Sequence, residues 1–189
     1  MKTRNLVIAL MIAFSGNVLL AQKMDVDPEK SSIKWLGKKI SYSHEGNIMF
    51  KDGFLELKDD QIVAGKFVVD MTSITNTDIE DEGRNQRLVG HLKSDDFFGV
   101  EKYPTASFVV IQASKFVNGK ATVSGEITIK GKTEQITFEV EKSGNQYNST
   151  VNIDRSKFDV RFGSDSFFDN LGDNAIADIF SLDITLVVV

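Results

Sequence analysis

Cysteine is absent from this 189-residue chain. That excludes a disulfide framework, a thiolate nucleophile and a zinc–thiolate site together. Histidine occurs only at His44 and His91, and proline only at two positions. No Gly-x-Ser-x-Gly elbow and no Gly-x-x-x-x-Gly-Lys-Ser/Thr loop is present, so those nucleophile and phosphate-cradle chemistries fall away. A cationic excess is also missing: 22 Lys and Arg against 27 Asp and Glu give a net charge of −5. An acidic chain is a poor partner for nucleic acid, whose affinity comes mainly from cations on phosphate. It is equally poor at electrostatic adhesion to anionic lipid.

Long apolar runs are missing as well. The N-terminus places Lys2 and Arg4 before the apolar residues Leu6 to Phe14, a Ser15-Gly16-Asn17 break and Val18-Leu19-Leu20-Ala21. A basic start, a short apolar middle and a small residue describe a secretory signal peptide, residues 1–21, cleaved after Ala21. The run is shorter than the ~20 residues a membrane-spanning helix takes, so no stable membrane insertion is expected. Its removal takes the formal charge from −5 to −7. The remaining residues, 22–189, have the length of one domain with a substantial core or an enclosed cavity.

What the chain does have is alternation. Ile33 and Trp35 share one face of a first strand, after a short tail at residues 22–30. Ile48 and Phe50 share a face in the next, and Lys51-Asp52-Gly53 reads as a turn before residues 54–57. Phe67, Val69 and Met71 alternate with Val68 and Asp70. Residues 76–93 break this period: acidic residues come early, then Leu88, His91 and Leu92 fall at i, i+3 and i+4, one stripe of a short helix. Phe97 and Phe98 extend that helical excursion, and Pro104 launches a strand at Thr105. Asn118-Gly119 is a strong hairpin signal. Beyond it, strands at residues 120–130, 133–142, 147–153 and 178–188 carry Ile127 and Ile129, Phe138, and Leu182 on their dry faces.

About eight strands with hairpin-length links, each with one wet and one dry face, predict an all-β, antiparallel sheet. So long a sheet with so little helical cover must close into a barrel or fold as a sandwich, and the apolar last strand favours closure. An eight-stranded barrel is either filled by its own side chains or holds one slender ligand. The 14 Phe against one Trp and three Tyr suit a hydrocarbon-contacting wall and also an ordinary core.

Several runs resemble the YceI family: Asp70-Met71-x-Ser73-Ile74, His91-Leu92-Lys93-Ser94-Asp95-Asp96-Phe97-Phe98, Tyr103-Pro104-Thr105-Ala106-Ser107-Phe108, Gly125 to Thr133, and Ile153-Asp154-Arg155-Ser156-x-Phe158. Lys93 stands where Arg is common in that family, and Lys130 where many members have His. The resemblance implies a lipocalin-like, eight-stranded antiparallel β-barrel with a short helical insert after the third or fourth strand. It also implies an exported, periplasmic or secreted, non-enzymatic protein without cofactor. Such a protein stores or transports a long-chain lipid of polyisoprenoid, isoprenoid quinone or fatty acyl type, as a monomer or weak homodimer.

On that reading, strand parity points Trp35, Phe50, Phe67, Val69, Phe108 and Val110 into the cavity, with Ile127, Ile129, Phe138 and Leu182. Leu88, His91, Leu92, Phe97 and Phe98 then form a lid at one end. At ~0.3 kcal/mol per heavy atom, a chain of ~40 carbons would bind at roughly −12 kcal/mol. The alternatives are a filled barrel acting through a protein-partner surface, and an enzyme using His91 with Asp95 or Asp96. Asp165, Asp169, Asp173 and Asp178 lack calcium-loop spacing, and two histidines match no standard zinc pattern.

Overall fold

The computed structural model describes residues 21–39 and 42–189. The expected signal peptide therefore lies outside the described residues, apart from Ala21 at its end.

Among the described residues nine strands are formed: β1 (Gln22–Asp25), β2 (Ser32–Lys38), β3 (Ser43–Lys58), β4 (Gln61–Asp70), β5 (Thr105–Ala113), β6 (Lys120–Ile129), β7 (Lys132–Ser143), β8 (Gln146–Asp154) and β9 (Ile179–Val187). An α-helix, α1 (Glu82–Lys93), follows β4. All neighbours pair antiparallel, and the order β3-β2-β9-β8-β7-β6-β5-β4 closes through β3–β4 into an eight-stranded barrel. The ninth strand adds no slot. β1 pairs with residues 54–57 of β3, in line with β2, which pairs with residues 43–48. On its other side Val26 bridges to Val188, so one slot of the wall is shared by two short strands.

Three expectations from sequence need correction. Residues 22–30 are not simply a tail, because Gln22–Asp25 completes the wall where β2 ends. Lys51-Asp52-Gly53 is not a turn: β3 runs through it for 16 residues, with a register shift between Phe50 and Asp52 against β4. Gly53 is there for close approach, since a Cβ on it would lie 2.7 Å from the Lys66 carbonyl oxygen. Such a bulge bends a strand and tightens its twist, which barrel closure requires. Finally, α1 ends at Lys93 with Ser94 as cap. Phe97 and Phe98 follow in turns, their N–H groups donating to Ser94 O and Leu92 O.

The two ends of the barrel differ. Tight links at 59–60, 118–119 and 144–145 lie at one end. Asn118 and Gly119, with φ of 51° and 78°, make the turn their dipeptide predicts. Val26, Leu55, Ile62, Val123, Val140, Tyr147, Leu186 and Val188 are buried there, and that end is sealed. The opposite end carries the long excursions, residues 71–104 with α1 and residues 155–178. Position in the fold thus assigns a mouth to one end only.

Candidate functional site

Two buried clusters occupy the barrel. One includes the sealed end just described and runs along the wall to Met71, Ile74 and Val100 at the other end. The other gathers Phe97, Ile127, Ile129, Val151, Ile153, Phe158 and Val160 beneath the 155–178 excursion. Between them, Leu92, Phe98, Ala106, Phe108, Phe138, Leu182 and Ile184 pack against both, yet remain only partly buried. Residues that face inward and still keep accessible surface border a hollow. Its volume is about 400 Å³, and its walls are almost wholly apolar. That volume falls in the range of small-molecule sites, ~300–1,000 Å³.

All fifteen residues singled out from sequence line this cavity. The strand positions Trp35, Phe50, Phe67, Val69, Phe108, Val110, Ile127, Ile129, Phe138 and Leu182 point inward by the alternation of side chains. Phe50 and Phe67 meet edge to face at 6.5 Å, and Phe108 and Phe138 tilt together at 5.3 Å. Leu88, His91 and Leu92 present one side of α1 to the mouth, with Phe97 and Phe98 beside them. The helix buries no residue fully, as expected of a cover over an opening. Trp35 is fixed at the rim by its Nε1–H, which donates to Thr75 O at 2.9 Å.

Sequence reasoning missed several residues of the mouth. Lys38, Lys39, Tyr42 and His44 line it from the β2–β3 corner, Phe162, Ile176 and Ala177 from the opposite excursion, and Phe180 from the start of β9. Tyr42 is 50% exposed and Phe162 45%, so the apolar lining continues to the surface. His91 packs edge to face on Phe162 at 4.4 Å and on Phe97 at 5.6 Å. Asp95, suggested as its partner for catalysis, instead pairs with Lys102 at 2.6 Å. Lys93 and Lys130 turn to backbone, donating to Thr72 O and to Asp95 O and Asp159 O respectively. Neither reaches the cavity.

The mouth is held together by Arg155, which is 2% exposed. Its Nε donates to Ala177 O at 3.1 Å, Nη1 to Val160 O and Phe162 O at 2.9 and 2.8 Å, and Nη2 to Ile176 O at 2.9 Å. Nη2 also approaches Asp178 Oδ1 at 3.5 Å. Burial lowers its pKa, while Asp178 and Asp154 oppose that. For Asp178, burial pushes the carboxyl up, but the Ser164 and Ser166 hydroxyls and the Arg155 charge hold it below the usual carboxylate range. The motif Ile153-Asp154-Arg155-Ser156 is therefore a clamp on the excursion. Among the described residues no group of three or more His, Cys, Asp or Glu is placed to hold a metal ion. Nor is any described helix long and apolar enough to cross a membrane.

Comparison with known proteins adds ancestry to this geometry. The YceI-like domain matches residues 24–188. A UPF0312 protein from Yersinia enterocolitica is 29% identical over 137 residues, covering 72% of this chain and 68% of its own length. The crystal structure of BcnA from Burkholderia cenocepacia superposes with a TM-score of 0.67 at 25% identity, covering 86% of this chain and 98% of that one. A polyisoprenoid binding domain from Saccharophagus degradans shares the fold at 15% identity, with a TM-score of 0.59 over 87% of this chain and 97% of its own.

Proposed function

The chain belongs to the YceI-like domain family, and on that premise we propose that it is a non-enzymatic binding protein holding one long-chain lipid in its barrel. The observation that carries this is the apolar hollow between two buried clusters, open at the α1 end and sealed at the other. A barrel packed solid would bury Phe67, Phe108, Phe138 and Leu182 fully. Their partial exposure instead supports room for a guest. The Saccharophagus degradans domain of the same fold, described as polyisoprenoid binding, supports the same class of ligand.

The ligand is a polyisoprenoid, isoprenoid quinone or fatty acyl chain. Affinity comes chiefly from hydrocarbon burial, at ~0.8 kcal/mol per CH₂ before the costs of ordering. The protein works as a monomer or weak homodimer, needs no cofactor, and is exported by residues 1–21 to the periplasm or beyond. There it stores or transports its lipid.

Titrating delipidated protein with a fluorescent polyene fatty acid tests the binding. One saturable site, emptied competitively by a long-chain isoprenoid, is expected. Emission that rises without saturation, or is indifferent to isoprenoid, would contradict a defined cavity and favour a barrel that acts through a protein-partner surface.

A further inference from the structure

Beyond hydrocarbon, the mouth contains one built polar device. His44 sits inward at the rim end of the β2–β3 ladder, opposite Gly37, and lines the cavity. Because Gly37 has no side chain and a Cβ there would meet nothing within 4 Å, the space beside the imidazole is open. The ring is held from behind. Its Nδ1 lies 2.7 Å from Asp78 Oδ2, and Tyr42 meets it edge to face at 5.1 Å.

Asp78 is itself held from three sides. Its Oδ1 accepts from the Glu45 N–H at 2.9 Å and from the Asn76 side-chain amide. Asn76, 7% exposed, also donates to Glu45 O and is gripped by Asn85 of α1, at 3.1 and 3.2 Å from Asn76 O and Oδ1. Burial pushes the Asp78 carboxyl up, but the Glu45 N–H, His44 and Asn76 together hold it below the usual carboxylate range. An ionised carboxylate accepts from Nδ1–H, which fixes the tautomer of a neutral ring and leaves Nε2 a lone-pair acceptor. Among the described residues Nε2 takes no hydrogen bond.

We propose that His44, oriented by Asp78, reads the polar end of the ligand and selects a head group with a hydroxyl to donate. The assignment rests on lipid carriage by the barrel and names the chemistry at the end of the chain: a long-chain alcohol rather than a hydrocarbon or an anion. Lys38 and Lys39 share the rim, with Lys39 Nζ 5.4 Å from the Tyr42 ring centroid. They are the rival recognition point for an anionic head. The negative charge of Asp78 beside His44 disfavours an anion at the imidazole itself.

The test compares geranylgeraniol, its O-methyl ether and geranylgeranyl phosphate as competitors of the fluorescent fatty acid, all at one fixed pH. Wild type is expected to prefer the alcohol over the ether by about five- to tenfold, the effect of one hydrogen bond. His44→Phe should erase that preference while retaining the ether, which shows the cavity intact, and His44→Gln, with an acceptor oxygen, should keep part of it. Equal affinity for alcohol and ether in wild type overturns the assignment and leaves carriage standing. So does a phosphate ester that outcompetes the alcohol equally well in His44→Phe, which moves recognition to Lys38 and Lys39. Failure of all three competitors to displace the probe refutes isoprenoid carriage instead.

Discussion

Replacing Arg155 by Met should detach the excursion that borders the mouth. The guanidinium donates to four carbonyls, of Val160, Phe162, Ile176 and Ala177, and faces Asp178. Each hydrogen bond from a charged donor contributes ~1.5–3 kcal/mol. Simple addition overshoots, because carbonyls near the surface regain water once the segment loosens. Removing one partner of a buried charge network costs ~3–5 kcal/mol, and that is the expected loss in urea unfolding, with an unchanged slope. Arg155→Lys should recover less than half, since one ammonium cannot reach carbonyls on both sides of a planar fork.

The pH dependence has a definite sign. In wild type the depressed Asp178 carboxyl contributes stability that is present above the ordinary carboxylate value and lost as pH falls through its folded pKa. Without the guanidinium the Ser164 and Ser166 hydrogen bonds remain but one lowering influence is lost, so the carboxyl is depressed less and its ionisation stabilises the variant less at neutral pH. The gap between the proteins should therefore narrow as pH falls toward and below about 4. An Arg155→Met protein within about 1 kcal/mol of wild type, or a gap that widens in acid, would refute the clamp.

Other expectations follow from the same geometry. Ala106, a small inward residue between the clusters, can be changed to Trp: the indole should enter the hollow, weaken fatty-acid binding at least about tenfold and leave stability within about 1 kcal/mol. In a solid core the same change overpacks, at a cost of ~1–3 kcal/mol or more, so a large loss of stability would argue against the hollow. Gly46→Ala places a Cβ 1.9 Å from Thr75 O and 2.8 Å from the Trp35 ring. It should destabilise by about 2 kcal/mol or more and shift the emission of Trp35, the sole tryptophan; unaltered emission would contradict that contact. N-terminal sequencing of protein from its own host should begin at Gln22, and a retained Met1 would contradict export through residues 1–21.

Much of the barrel was legible because its information is local. Asn118-Gly119 sets its hairpin turn through backbone conformation alone, both residues holding positive φ. Alternation then fixed the dry face of β5, β6, β7 and β9, which is why Phe108, Ile127, Phe138 and Leu182 line the cavity as their parity implies. What escaped depends on partners distant in sequence. Gln22–Asp25 is polar and has no pattern of its own; it is a strand because β3 and Val188 leave it a slot. Lys51-Asp52-Gly53 has turn composition, yet pairing with β4 on its flank converts it to a bulge. His44 and Asp78 are 34 residues apart, and Arg155 meets carbonyls, which carry no residue identity for a sequence to display. Acidic and basic residues at a mouth read as ordinary solvated charge until the ring closes.

The most direct test is native mass spectrometry of the protein purified from its own host, before and after extraction with organic solvent. A reproducible excess mass is expected, lost on extraction, with the extract yielding a single class of long-chain lipid. Bare polypeptide mass in every preparation, together with an extract free of lipid, would contradict the proposal that this barrel is a carrier.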